Sequence, residues 1–339
     1  MKTIVTLALA LGLAGAADAK TLVVCPAGAQ GECGYRGSNG LQQAVDAASD
    51  GDVIRVAAGV YHPAAFRDVP FSDVLEDLTL RGFVVVRNKR LTIEGDDGAI
   101  LDGSSGPPTI GMVIEGADVA IHNLVIRNFR VAEREDKIYD GHGIFAVNSR
   151  VRLDRVTLEH FAKMGLTGRG DTQIDARRMC VRDGHIAYWL HEGAYLNLRD
   201  SVARRNESSG VAAYDFSVAH VANSLFDTTI DDALYTEHDA VIHFTNGVLI
   251  NNRPYAARAL NNSLIRISHS VLAGNEGDTA AKDKAVVHLG ADVTSLGKAV
   301  PTDAALAAAV AAGRDNSHLR KFGQAAVIGP AGQGQPACE

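Results

Sequence analysis

The sequence is short of aromatic residues. Phe, Trp and Tyr make up 6% of 339 residues, with a single Trp, although the hydrophobic fraction is 46%. A core with that ratio is built from Val, Ile, Leu and Ala, the stock of stacked strands. Basic residues are also in deficit, 33 Lys and Arg against 40 Asp and Glu, for a net charge of −7. That balance leaves no global electrostatic footprint for nucleic acid. Four cysteines are too few for a disulfide-built small domain, and the normal hydrophobic fraction excludes a disordered chain. Beyond the first twenty or so residues no apolar run reaches the ~18 needed to span a bilayer, so no transmembrane helix is expected.

The N-terminal stretch has its own reading. Lys2 supplies a short positive start, residues 4–17 are apolar, and Ala17-Asp18-Ala19 closes the stretch in a small-x-small form. This is the pattern of a bacterial export signal. Residues 1–19 are therefore expected to be removed, leaving a soluble periplasmic or secreted product that begins near Lys20. In that oxidising setting Cys25 and Cys33 are expected to join. Cys180 reads as a small buried hydrophobe inside a repeat, and Cys338 has no partner that the sequence can name.

What the sequence does contain is a repeat. Segments starting at Gly143, Gly165, Ala187, Gly210, Ala233 and Ala256 superimpose at 22 to 23 residues. Each opens with a short strand: GIFAV, GLTGR, AYWLH, GVAAY, ALYTE, AARAL. A second apolar beat follows at Val151, Ile174, Leu196, Ala219, Ile242 and Ile265, and returns two residues later at Leu153, Ala176, Leu198, Val221, Phe244 and Ile267. A third strand lies near 156–158, 201–203, 224–226 and 248–250. Three short alternating strands cannot bury a face alone. Stacked repeat upon repeat, they form three parallel sheets around one continuous core, a solenoid.

These repeats, with LQQAVDAASDGDVIRVAAGVY at 41–61, resemble the pectin-lyase-like superfamily over roughly residues 21–289. The resemblance implies an all-β, right-handed, single-stranded parallel β-helix occupying residues 20–290. It further implies an amphipathic capping helix at its start and a polysaccharide groove on the sheet of first strands. The remainder, 291–339, is a tail with an Ala-rich helix at 301–312 that begins at a Pro and is placed to cover the other end.

Alternation then sorts the first strands. Ile144, Leu166, Tyr188, Val211, Leu234 and Ala257 point inward. Phe145, Thr167, Trp189, Ala212, Tyr235 and Arg258 point outward, as do Val147, Arg169, His191, Tyr214, Glu237 and Leu260 two residues on. With rungs about 4.8 Å apart, Arg169 to Glu237 covers roughly 14 Å, room for two or three sugars. The connection 129–142 is longer than the others and emerges beside this sheet. Its Lys137, Tyr139, Asp140 and His142 are expected in one wall of a groove, with Lys163 and His185 in shorter connections on the same edge.

Arg, His, Tyr and Glu in one outward row, flanked by Trp and Tyr, suit β-elimination on a uronic-acid polymer. The C5 proton becomes removable once the neighbouring carboxylate is neutralised, and an acid must protonate the departing oxygen. Arg169 is the candidate for neutralising the carboxylate. His191 and Tyr214 are the base and acid in either order, Glu237 orients a partner or binds a hydroxyl, and Lys163 or His185 is a reserve base. Trp189 and Tyr235 would stack sugars, with Lys137, Tyr139, His142 and Arg258 also contacting substrate. The expected partner is an acidic polysaccharide or oligosaccharide bound by a monomer.

Three other readings share the fold. C5-epimerisation removes the same proton, but the Asp-Pro-His block of mannuronan epimerases is missing, since Trp189 stands where their Asp would be. Hydrolysis is suggested by Asp231-Asp232 and Gly141-His142-Gly143, which are similar to polygalacturonase blocks in reversed order. A glycan-binding β-helix without catalysis is the third. Asp140, Asp215, Asp231, Asp232 and Asp239 are candidate oxygen donors for Ca²⁺, although no spacing among them defines a calcium loop.

Overall fold

A computed structural model describes residues 19–72, 77–132, 138–298 and Cys338. The expected signal peptide, Lys137 and the expected helix at 301–312 lie outside the described residues. Each coil contributes one strand to each of three sheets, and among the described residues the sheets hold 11, 12 and 10 strands. The first sheet runs through Ile144–Val147, Met164–Arg169, Ile186–His191, Val211–Ala213, Leu234–Thr236 and Tyr255–Ala259. The second includes Arg150–Asp154, Gln173–Arg177, Tyr195–Arg199, Val218–Ala222, Val241–Thr245 and Leu264–Ser268. The third includes Thr157–Glu159, Cys180–Arg182, Val202–Arg204, Leu225–Asp227, Val248–Ile250 and Val271–Ala273. These neighbours pair in parallel, as connections that wind around a common core require.

The register follows the repeat. Ile144, Leu166, Tyr188, Val211, Leu234 and Ala257 are consecutive partners in the first sheet, and all are fully buried. Val151, Ile174, Leu196, Ala219, Ile242 and Ile265 do the same in the second. Tyr188, Phe226 and Phe244 meet edge to face inside the stack, at 6.5 and 5.9 Å between ring centroids. At the N-terminal end the helix Gly40–Ala47 places Leu41, Ala44 and Val45 in the same core as Val24 and Ile54. Its C-terminus is closed by the Lys89 ammonium, which donates to the carbonyls of Val45, Asp46 and Ala48.

The corners have a common conformation. Asn123, Arg155, Arg178, Asp200, Asn223, Asn246 and His269 all have φ between 48° and 56° and turn the chain from the second sheet to the third. Glu192, Asp215, His238 and Asn261 occupy the equivalent left-handed position where the first sheet ends. Left-handed backbone reverses direction in few residues, which short coils need, and Asn and Asp tolerate it best.

Polar residues inside the stack are satisfied by their own copies in neighbouring coils. Asn252 Oδ1 accepts from the Thr229 amide and hydroxyl, and Asn252 Nδ2 donates to Asn275 Oδ1. All three residues are buried. Asn252→Ala takes from Thr229 the acceptor of both its amide and its hydroxyl, and is expected to lower unfolding free energy by about 1–3 kcal/mol in a denaturant titration. A loss within experimental error would show that the ladder adds nothing net.

Two features differ from expectation. Residues 67–72 and 77–81 leave the helical path. Arg67–Ser72 pairs antiparallel with the first half of Asp77–Arg87, whose second half joins the first sheet beside Ile110–Glu115. This hairpin packs Val69, Phe71, Leu78 and Leu80 onto Val85, Val113, Phe145 and Val147, making a second core on the outer face of the sheet. Phe145 and Val147 therefore point outward as expected and are nevertheless buried. The second difference is Cys180. It is buried as expected, but it is bonded to Cys338, and the other disulfide is Cys25–Cys33. A strand whose Cys faces outward can receive a distant chain end, which the repeat alone does not reveal.

Candidate active site

The two outward columns stand in register as the alternation requires. Phe145, Thr167, Trp189, Ala212, Tyr235 and Arg258 are consecutive ladder partners. Arg169 is opposite His191. Tyr214 and Glu237 continue that row, their amides bonded to the Leu190 and Ala213 carbonyls of the preceding coil at 2.9 and 3.0 Å.

The side chains form a continuous aromatic and titratable row. Ring centroids of Trp189 and His191 lie 5.5 Å apart, those of His191 and Tyr214 5.6 Å, and those of Tyr214 and Tyr235 5.6 Å. Arg258 extends the row, its guanidinium 5.2 Å over the Tyr235 ring. Two carboxylates, Asp215 from a left-handed corner and Glu237 from the row itself, complete it. Asp215 lies 3.1 Å from His191 Nε2 and 3.3 Å from His238 Nδ1. Glu237 accepts from the Tyr235 hydroxyl at 2.7 Å and from Asn261 at 2.8 Å, and faces His238 at 3.5 Å.

Protonation states follow from burial and neighbours. Burial, then the charge of Glu237, pushes the Tyr214 phenol up to about 12, so it is a proton donor at any ordinary pH. Tyr235 is raised further by burial and by its bond to Glu237. Arg258 contacts Asp231 at 3.2 Å and Asp232 at 2.5 Å. Burial pushes the Asp232 carboxyl up to about 7 against the pull of Arg258, with Asp231 adding to the rise.

The Asp232 shift has a stability consequence. Folded Asp232 keeps a proton that an unfolded chain, at the ordinary value of 3.8, has already released. Its contribution to stability therefore falls as pH rises from about 4 to about 7, and is level outside that window. In Asp232→Asn the decline in thermal midpoint from pH 5 to pH 8 is expected to shrink. An unchanged decline would assign it to other groups.

The remaining candidates occupy different surroundings. Arg169 is 1% exposed, makes two hydrogen bonds to Glu192 at 2.9 and 3.1 Å, and lies between the rings of Phe71 and Trp189 at 5.2 and 5.1 Å. His142 is fully buried, bonded through Nδ1 to the Thr167 hydroxyl and stacked on Tyr139. Burial, then the charges of Lys163 and Arg169, holds it well below the usual histidine range and therefore neutral. Lys163 sits 3.9 Å from Asp140 and 4.9 Å over the Tyr139 ring. Burial lowers its pKa and Asp140 partly restores it. His185, by contrast, faces Glu207 at 4.0 Å.

The structure thus brings Trp189, His191, Tyr214, Tyr235, Glu237 and Arg258 into one row. It groups Tyr139, His142 and Lys163 beside it, and seats Arg169 beneath Phe71. Asp215 entered the sequence reading only as a calcium donor, while His238, Glu192 and Phe71 did not enter it. The signal for the first three was their place just past an outward column, one per coil.

The five candidate calcium donors do not converge. Asp215 is held between two imidazoles, and Asp231 and Asp232 hold Arg258. Asp140 accepts from the Ala132 amide and faces Lys163. Among the described residues no group of three or more His, Cys, Asp or Glu is placed to hold a metal. These residues do not fit a cage of oxygen ligands around Ca²⁺.

No family model and no curated protein matches the chain. Among solved structures it is similar to pectate lyase Pel9A, at 12% identity and a TM-score of 0.53, with 88% of this chain and 86% of that one covered. It is also similar to a PL6 family alginate lyase, AlyGC, at 13% identity and a TM-score of 0.50, covering 82% of this chain and 40% of that longer one. At such identities the likeness establishes the fold alone, a parallel β-helix.

Proposed function

We propose that this protein is an exported lyase that cleaves a uronic-acid-containing polysaccharide by β-elimination. The observation that carries the reading is the row of half-buried His191 and Tyr214 between the flat faces of Trp189 and Tyr235, with Asp215 against the imidazole. In this reading His191 takes the C5 proton, the electron pair of that bond forms the C4–C5 double bond, and the C4–O bond breaks. Tyr214 then protonates the departing oxygen. The order is set by chemistry: a phenol pushed up to about 12 is a poor base and a ready donor, whereas an imidazole beside a carboxylate can accept a proton and have its charge offset.

Arg258 stands three rungs, roughly 14 Å, from His191, so it suits the carboxylate of a neighbouring sugar and not the one beside the C5 proton. It lies in the open part of the row, where a substrate carboxylate would compete with Asp231 and Asp232 for its charge. Arg169 is already matched by Glu192, and its role in this reading is to hold the indole of Trp189. The paired acids Asp231 and Asp232 are committed to Arg258, which weighs against a polygalacturonase-type hydrolysis. Two disulfides accord with export. We read the winding as right-handed and the helix Gly40–Ala47 as the N-terminal cap, because an open solenoid end would expose core and strand edges.

The test is a panel of polyuronates followed by ultraviolet absorbance from the new double bond. Unsaturated products are the expected result. New reducing ends without that absorbance would mean hydrolysis, altered epimer composition without cutting would mean epimerisation, and binding without product would leave a lectin-like role.

A further inference from the structure

The outer face of the first sheet is closed at one end and open at the other. On the N-terminal side the antiparallel pair Arg67–Ser72 and Asp77–Arg87 seals the face over Val85, Val113, Phe145 and Val147. Its Phe71, itself buried, meets Phe145 edge-on at 5.6 Å and caps the Arg169 guanidinium at 5.2 Å. From that point side-chain exposure rises along the row: 1% at Arg169, 20% at His191, 22% at Glu237 and 30% at Arg258. Beyond it, Ala280, the ladder partner of Arg258, is half-buried and Lys282 is exposed. The wall is packed like a core, through four apolar side chains and a paired ladder, so it is a fixed boundary of the groove.

We infer that the Phe71–Arg169 wall makes this an end-recognising site: a polymer lodges one terminus against the wall, and short fragments of constant length are released from that end. The inference rests on the proposed lyase reading for its chemistry, but the wall is a property of the surface alone. A chain laid along the row cannot continue past Arg169, because that face is filled by the hairpin. On the scale by which three rungs, roughly 14 Å, hold two or three sugars, the one or two rungs from the wall to the His191–Tyr214 pair hold one or two. The expected product is therefore a mono- or disaccharide from the first turnover.

Trp189 supplies a readout that does not need catalysis. It is the only tryptophan of the chain and it stands next to the wall, so quenching of its fluorescence reports occupancy there. A chain-end site responds to the molar concentration of ends. At equal sugar mass, a polyuronate sample shortened tenfold by partial acid hydrolysis should half-saturate the quenching at about one tenth of the mass. An unchanged half-saturating mass would overturn the inference, whether or not any product forms.

With the active substrate from the panel, absorbance and viscosity are followed together. Rising absorbance with slowly falling viscosity and only mono- or disaccharide products is expected. An early collapse of viscosity with mixed oligosaccharides would show internal cutting and sink the wall while sustaining the lyase. The converse, end-dependent quenching without absorbance, would keep the wall and remove the lyase. Phe71→Ala should lengthen the early products, since it lowers the wall without touching His191 or Tyr214.

Discussion

His191→Ala lowers the rate of unsaturated-product formation at least about a hundredfold, the usual scale for removal of a positioned proton carrier. Polymer binding, read through Trp189 fluorescence, changes far less. Tyr214→Phe does the same, because it removes the only proton that the phenol brings and keeps the ring that touches His191 and Tyr235. The double variant is little worse than either single one, since the two act on one elimination. The pH profile separates their roles. Tyr214, at about 12, stays protonated across the working range, so an alkaline fall in rate below that is not its deprotonation. Asp215→Asn should lower the rate, because it removes the carboxylate 3.1 Å from His191 Nε2 that offsets the charge formed when the base takes its proton. Full activity in both His191→Ala and Tyr214→Phe would remove the pair from the mechanism.

The row that carries these predictions could be read from the sequence because solenoid geometry is local. Once the spacing of 22 to 23 residues is found, alternation decides which side chains point outward. Trp189, His191, Tyr214, Tyr235 and Arg258 are then neighbours by arithmetic. Their partners were harder to read. Asp215 and His238 sit at corners where left-handed backbone, not alternation, aims the side chain, so strand periodicity is silent about them. The hairpin was illegible for a different reason: it occurs once, and a unique excursion has no copy to align with. Its trace was nonetheless present. Phe145 and Val147 are apolar at outward positions, whereas the same columns become Arg, His, Tyr and Glu further along. An outward apolar pair in a solenoid implies a cover, and Phe71 and its neighbours supply it.

The Cys180–Cys338 bond is expected to matter more to stability than Cys25–Cys33. On the chain-entropy argument a crosslink over 158 residues is worth about 5 kcal/mol, and one over 8 residues about 2.5. Cys338→Ser should therefore cost roughly 2–5 kcal/mol and Cys33→Ser less. The longer bond ties the chain end to strand Cys180–Arg182, and Arg204 in the next coil donates to the Cys338 carbonyl at 2.7 Å. Because each coil contacts only its neighbours, a solenoid frays from its ends, and a crosslink from the end to the middle opposes fraying of every coil between. In Cys338→Ser, hydrogen exchange should accelerate in Leu264–Ser268 and Val271–Ala273, with little change in Asp118–His122, which lies outside the closed loop. Uniform acceleration along the whole stack would mean that the coils unfold as one unit and that the bond stabilises all of them alike. Equal losses for the two cysteine variants would show that native-state contacts around each bond, rather than loop length, set the cost.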